Sequence, residues 1–410
     1  MLDALGHIAF GLFGLAVLIG IAFLFSNNKR AVSWKLVLTG VSLQIVFATL
    51  VLKLPLGRDV FNAIATGFVH LLDFVRVGSE FIFGSFMDIS KFGFVFAVQV
   101  LPTIIFFASL TGVLYHLGIM QRIVQGMAWI ITKVMNVSGA ETTSVCASVF
   151  IGQTEAPLTI KPYIERMTNS ELMTVMIGGM AHIAGSVMAA PATLMLAKIL
   201  VPETQEPLTR GTVKLDVEKT TANVIDAAAT GAGDGLRLAL NVGAMLLAFI
   251  ALIALLNAPI QWLGTHAWGA DAASSINGWL SANAGRPVEL SLQVLFGWVL
   301  APLAWLIGVP WQDATLVGSF IGEKVVVNEF VAYVDMSKHL GQLTQQSQLI
   351  ATYALCGFAN FSSIAIQIGG IGGLAPNRRA DLARFGLRAV LGGSIATFMT
   401  ATIAGVLEQL

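Results

Sequence analysis

Gly152-Gln153-Thr154-Glu155-Ala156-Pro157 places an amide, a hydroxyl and a carboxylate inside an otherwise apolar segment. Ser144 to Ile151 precede it and Leu158 to Pro162 follow it. Neither flank reaches the roughly 20 residues of a spanning helix, and the centre is too polar for lipid. Irregular backbone at membrane depth is tolerated only where protein buries it or water reaches it. The stretch therefore predicts a broken, re-entrant hairpin whose tip faces a cavity or a ligand.

Composition supports a polytopic membrane chain. Of 410 residues, 56% are hydrophobic and 11% are charged, against roughly 25% charged in soluble domains. Basic and acidic residues balance to zero net charge, and no Lys/Arg-rich run occurs, which excludes a nucleic-acid partner on electrostatic grounds. Cys146 and Cys356 sit in apolar surroundings and read as packing residues, so neither a disulfide framework nor a metal site is expected. Met1-Leu2-Asp3 carries no basic n-region, so Ile8 to Phe25 reads as a retained span rather than a signal peptide.

Lys29, Arg30 and Lys35 follow that span without an acid, and Arg378, Arg379, Arg384 and Arg388 form a second cationic stretch. Both are expected to be cytoplasmic, which puts the two termini outside. Leu36 to Leu52 and Phe92 to Leu117 read as spans, separated by amphipathic interfacial helices over 59–91, where His70, Asp73, Arg76, Glu80 and Asp88 interrupt the apolar pattern. Thr168-Asn169-Ser170-Glu171 has the form of a capping box opening the next helix. Leu172 to Val201 is then too long for one upright span and too short for two, as if a connecting stretch were absent near Ala189. Asn223 to Asp226 opens a further helix, Leu236 to Leu256 reads as a span, and 258–287 reads as an interfacial excursion. Leu290 to Leu306, Leu349 to Ile368 and Ala389 to Leu407 complete about eight transmembrane helices.

Between the last of these lies a second polar hairpin, centred on Gly322-Glu323-Lys324 and Asn328-Glu329-Phe330. A hairpin followed by a helix thus occurs twice, around Glu155 and around Glu329. Paired interrupted segments in two halves of a chain mark the substrate site of a secondary transporter. The expected fold is all-α, with two re-entrant hairpins in an inverted repeat. Each buried acid needs a partner; one alternative is simple pairing with Lys161 or Lys324. The other is a neutral, hydroxyl-rich ligand met by Gln153, Asn328, Asn360, Ser363 and the two acids. Asn360 and Ser363, three apart, would share one helix face, with Phe358 offering an aromatic surface.

Gly152 to Pro157, Asn328 to Ala332, Gly357 to Ser363 and Asn223 to Ala228, in that order, resemble the concentrative nucleoside transporters, and the likeness runs from the first span to the last. The resemblance implies a cation-driven symporter of the bacterial inner membrane, importing nucleosides such as uridine. It also implies a homotrimer in which a mobile transport unit moves like an elevator against a static scaffold. Scaffold would comprise about 8–55, 92–135 and 224–257, and the transport unit about 138–201 and 308–407. By position, Gln153, Thr154 and Glu155 would address the base, Glu329, Asn360 and Ser363 the ribose hydroxyls, Val187 the ribose side, and Phe358 the base.

The cation site departs from the family pattern. Ser148 and His182 stand where sodium-coupled members have Asn and Ser, with Ile151 and Ile183 as carbonyl donors. Histidine is a poor ligand for a hard cation and titrates near neutrality, so the residues lean toward H+ over Na+ as coupling ion, and no other cofactor is implied. Among rival classes, no G-x-S-x-G, H-E-x-x-H or P-loop motif supports an enzyme. A channel, or a symporter for another small neutral polar solute, is the alternative left by the hairpins alone.

Overall fold

The architecture comes from a computed structural model that describes residues 2–150, 152–181, 188–211, 221–266, 275–284 and 288–410. Described secondary structure is helical, apart from isolated bridge residues such as the pair Ser138 and Arg210. The first two expected spans are α1 (Leu2–Leu24) and α2 (Trp34–Leu52). Ser33 caps α2 by accepting from the Leu36 N–H at 3.5 Å. The amphipathic segment is α3 (Pro55–Phe83), with α4 (Ile89–Phe92) after it. Along α3, Arg76 donates to Glu80 one turn on at 2.7 Å on the exposed face.

The next span is interrupted near its start, as α5 (Phe96–Gln99) and α6 (Leu101–His116), because Pro102 falls in the first turn of α6. Then comes α7 (Ile119–Met135), which sequence reading passed over. Its buried Met120, Val124, Ala128, Ile131 and Met135 recur every three or four residues, a helical stripe that Arg122 and Lys133 on the opposite face obscured.

The first hairpin is built as expected. Its first arm is α8 (Gly139–Ser148), opened by a capping box in which Glu141 accepts from the Ser138 N–H at 3.0 Å. The second arm is a 3₁₀ turn at Ala156–Ile160 and α9 (Lys161–Ile164). The predicted capping box before α10 (Asn169–Ala181) is present, with Thr168 N–H donating to Glu171 at 2.8 Å and Glu171 N–H donating to Thr168 at 3.1 Å.

Beyond α11 (Ala189–Leu200), α12 runs from Val224 to Thr265, 42 residues without a break. Sequence reading had divided this stretch into a helix start, a span and, from 258, an excursion. Helix continues through Pro259 instead, since a proline removes only its own bond to the residue four before it and the flanking turns are otherwise intact. Only α13 (Ile276–Ala284) is described within the remaining excursion. The chain then forms α14 (Leu292–Leu306), bends by 117° through Gly308 into α15 (Trp311–Val326), and continues as α16 (Glu329–His339), α17 (Gln345–Leu355), α18 (Phe361–Leu374) and α19 (Arg379–Gln409). The second hairpin is α15 with α16.

Among the described residues, four helices are long and apolar enough to cross a membrane, and the bent α14–α15 pair makes up to five. Of the remaining expected spans, 236–256 lies inside the longer α12, and the others are bent or interrupted. α6 packs along α12, while α1, α2, α10, α11, α17 and α18 pack around α19 or against one another. Gln44 on α2 donates to Thr400 on α19 at 2.9 Å.

In the anomalous 172–201 stretch the described residues form α10 as far as Ala181 and α11 from Ala189. The twelve residues of α11 rise about 18 Å, short of the roughly 30 Å hydrocarbon core. Start of α10 and end of α11 share one face: Thr168 donates to Glu203 at 2.8 Å and Lys198 meets Glu141 at 2.8 Å. Arg378 binds Met167 O and Asn169, and Asn27 N–H reaches Leu200 O at 3.0 Å. The pair therefore enters and returns on the face that carries Lys29, Arg30 and Arg378.

Lys198 and Glu141 are 6% and 0% exposed, so removing the ammonium strands a buried carboxylate. Lys198→Met is expected to cost about 3–5 kcal/mol, and adding Glu141→Gln should recover most of it. Thermal midpoints in detergent check this; equal midpoints for Lys198→Met and the parent would contradict it.

Candidate functional site

Two hairpin tips and one helix break meet in the interior. At the first tip, Gly152 to Glu155 turn between α8 and the 3₁₀ arm. Gln153 Nε2 donates to Ser363 Oγ at 3.2 Å, and Gln153 Oε1 accepts from Gln367 Nε2 at 3.3 Å. Gln367 also donates to Met176 O of α10 at 3.0 Å. The tip approaches its neighbours closely. A Cβ on Gly179 would come within 2.9 Å of Gln153 Cβ, and one on Gly370 within 2.7 Å of Thr154 Cγ2.

The break between α17 and α18 spans Cys356 to Asn360. It exposes the last carbonyls of one helix and the first N–H groups of the next, groups that hydrocarbon cannot satisfy. Asn360 closes one side: its Oδ1 accepts from Ser363 N–H at 2.9 Å and from Ser362 Oγ at 2.7 Å. Asn360 and Ser363 thus do not share a helix face as expected; Asn360 stands outside α18 as its N-cap, and the cap hydrogen bond brings the pair together. Lys324 closes the other side. Its ammonium, fully buried, donates to Ala354 O at 2.8 Å and to Thr397 Oγ1 at 3.1 Å, a cation at a helix C-terminus.

At the second tip, Asn328 caps α16 by accepting from Val331 N–H at 2.9 Å, which leaves Glu329 as the first helical residue. Asn360 Nδ2 donates to Glu329 Oε2 at 3.1 Å. Gln367, Gln153, Ser363, Asn360 and Glu329 therefore form one hydrogen-bonded chain from hairpin to hairpin through the break. Phe358 lies half-buried in the same break. Glu155 is exposed, and among the described residues no hydrogen bond or ion pair joins it to the chain. Simple pairing of the acids with Lys161 or Lys324 is not what the described contacts contain, since Lys324 is engaged with Ala354 and Thr397.

Of the expected cation ligands, Ser148 Oγ lies 2.8 Å from Val145 O and 3.1 Å from Gly178 O. These three oxygens lie together in a corner between α8 and α10. Ile151, His182 and Ile183, like Val187 on the ribose side, lie outside the described residues. Sequence reading missed Gln367 and the capping role of Lys324. An amide one turn beyond Ser363 in an apolar helix was the available signal for the first.

A family model described as the C-terminus of Na+ dependent nucleoside transporters matches residues 181–405, its N-terminal counterpart matches 13–86, and a nucleoside-recognition gate model matches 97–198. The chain is 44% identical over 419 residues to an uncharacterized transporter of Haemophilus influenzae, covering 96% of each protein. It is 38% identical to the nucleoside permease NupC of Helicobacter pylori, covering 97% of each. The solved structure of CNTnw in an inward-facing, substrate-bound state superposes with a TM-score of 0.86 at 41% identity over 98% of each chain. The 419-residue match exceeds the 410 residues of this chain, so that relative carries residues without a counterpart here.

The close approach at Gly179 gives a direct test of the tip geometry. Gly179→Ala should displace Gln153 and weaken nucleoside binding at least several-fold, whereas Gly373→Ala, with nothing within 4 Å of its Cβ, should be silent. Calorimetric titration of both variants decides; equal affinities would contradict the geometry.

Proposed function

The chain belongs to the Na+-dependent nucleoside transporter family, and from that premise we propose that it is a symporter importing nucleosides, uridine among them, by elevator-type alternating access. The observation that carries this reading is the hydrogen-bonded chain from Gln153 through Ser363 and Asn360 to Glu329. It offers amide, hydroxyl and carboxylate groups and no arginine, a donor and acceptor set suited to a neutral polyol bearing a heterocycle. Glu329 and Asn360 accept and donate to the ribose hydroxyls, with Ser363 beside them. Gln153, Thr154 and Glu155 take the base edge, Phe358 lies by the base, and Val187 lines the sugar. Exposed Glu155 turns inward when ligand arrives.

Sodium is the coupling ion in this reading. The family description supports it, and Ser148 with the carbonyls of Val145 and Gly178 supplies the oxygen donors that a hard cation prefers. The lean toward protons rested on His182 and gains no support from the family. The hairpins, α10, α11 and α17–α19 move against the α6–α12 pair. α1 and α2, packed on α19 and α11, travel with them, unlike the boundary expected from sequence. Exposed Leu247, Ile250 and Leu255 on α12 leave apolar surface for lipid and for two further copies in a homotrimer of the inner membrane, with the basic loops cytoplasmic.

Proteoliposomes under an inward sodium gradient, without a proton gradient, should accumulate labelled uridine. Accumulation driven only by a proton gradient would overturn the sodium assignment. Glu329→Gln gives up charge-assisted bonds worth roughly 1.5–3 kcal/mol, a ten- to hundredfold loss of uridine affinity. 2′-Deoxyuridine should lose affinity on the parent protein but little more on the variant; an unchanged Glu329→Gln affinity would contradict the ribose role.

A further inference from the structure

Glu323 lies in the first arm of the second hairpin, six residues before Glu329, and the transport reading has no use for it. It is 3% exposed, and its Oε2 has no hydrogen-bond partner among the described residues. Gln293 on α14 is its polar neighbour, within hydrogen-bonding reach of the carboxyl. Gln293 in turn accepts from Asn257 Nδ2 on α12 at 3.1 Å, and Asn257 Oδ1 accepts from Leu292 N–H at 2.8 Å. A polar relay thus runs from α12 through α14 to a carboxyl on the hairpin.

The charges around Glu323 do not neutralise it. α14 carries no charged residue, and neither does α17. From α16, Asp335 and Lys338 face it and oppose each other in sign, while His339 lies 3.9 Å from Asp335. On its own helix, Lys324 is committed to Ala354 and Thr397, and Asp313 accepts from Thr344 and Ser347. No ion pair to Glu323 occurs among the described residues. A carboxylate with an unpaired oxygen in this interior costs several kcal/mol. The neutral acid costs far less, and Oε2 then carries a proton instead of bare charge.

We propose that Glu323 is a proton-binding site: packed against α14 it holds one proton from solvent as a carboxylic acid, and it releases that proton when α14 and α15, which stay packed on each other, leave Asn257 of α12 and free the Gln293 amide. The reaction is simple acid dissociation, carboxyl to carboxylate plus a hydrated proton, with no other reactant. Its transport consequence rests on the elevator reading given above; its protonation does not. Nucleoside flux becomes pH-dependent through the contact between the α14–α15 pair and α12, separately from the sodium corner at Ser148.

Infrared spectra of the purified protein at neutral pH test the site without any assumption about transport. The parent protein should show a protonated-carboxyl C=O stretch that disappears in Glu323→Gln and returns, shifted, in Glu323→Asp. Identical carboxyl bands in the parent and Glu323→Gln would overturn the proposal. Should Glu323→Gln fail to fold, Gln293→Leu, which leaves the acid in place, should shift the same band; an unmoved band would overturn the relay. In proteoliposomes, the pH dependence of uridine exchange should flatten in Glu323→Gln. An altered infrared band with no uridine flux in either protein would leave the proton site standing and sink the transport reading instead.

Discussion

A carbonyl or N–H stripped of water and left unpaired costs several kcal/mol in hydrocarbon, and this chain breaks its helices where that penalty applies. Three of the described breaks are closed by side chains: Lys324 meets the end of α17, Asn360 the start of α18 and Asn328 the start of α16. The functional chain is assembled from these same groups. Asn360 uses its oxygen on the Ser363 N–H and its nitrogen on Glu329, while Gln367 divides its amide between Met176 and Gln153. Fold repair and the proposed ligand recognition therefore share side chains, which is why substitutions at neighbouring glycines and at Glu323, which closes no helix break, are the cleaner probes.

The hairpins are anchored at their bases and joined at their tips. Buried acids do the anchoring: Glu141 at Ser138 and Lys198, Glu171 at Thr168, and Asp313 at Thr344 and Ser347. Cooperative, fully engaged networks of this kind rigidify what they connect. The tips are joined by lone hydrogen bonds between 3.1 and 3.3 Å, the weaker kind of connection.

Much of this was legible beforehand. The polar tip at Gly152 to Pro157, the capping box at Thr168 and the amphipathic pattern of α3 each follow from local chemistry. α7 escaped because two cations on its exposed face drew attention from its apolar stripe. α12 was cut short because Pro259 and the glycine-rich stretch beyond it resemble a helix end, although neighbouring turns carry the helix through. The role of Lys324 was illegible in principle: its partners Ala354 and Thr397 lie 30 and 73 residues away, and only the tertiary fold brings them to its ammonium. The face-sharing of Asn360 and Ser363 was the right pair for the wrong reason, since spacing alone does not distinguish a helix face from an N-cap.

The central claim is that the two tips and the break form a single nucleoside site whose occupancy depends on sodium. Calorimetric titration of the purified protein with uridine, once in sodium and once with sodium replaced by choline, measures it directly. The account predicts one binding event per chain in sodium and a large loss of affinity in choline. Equal affinities in the two buffers, or no heat of binding in either, would contradict it.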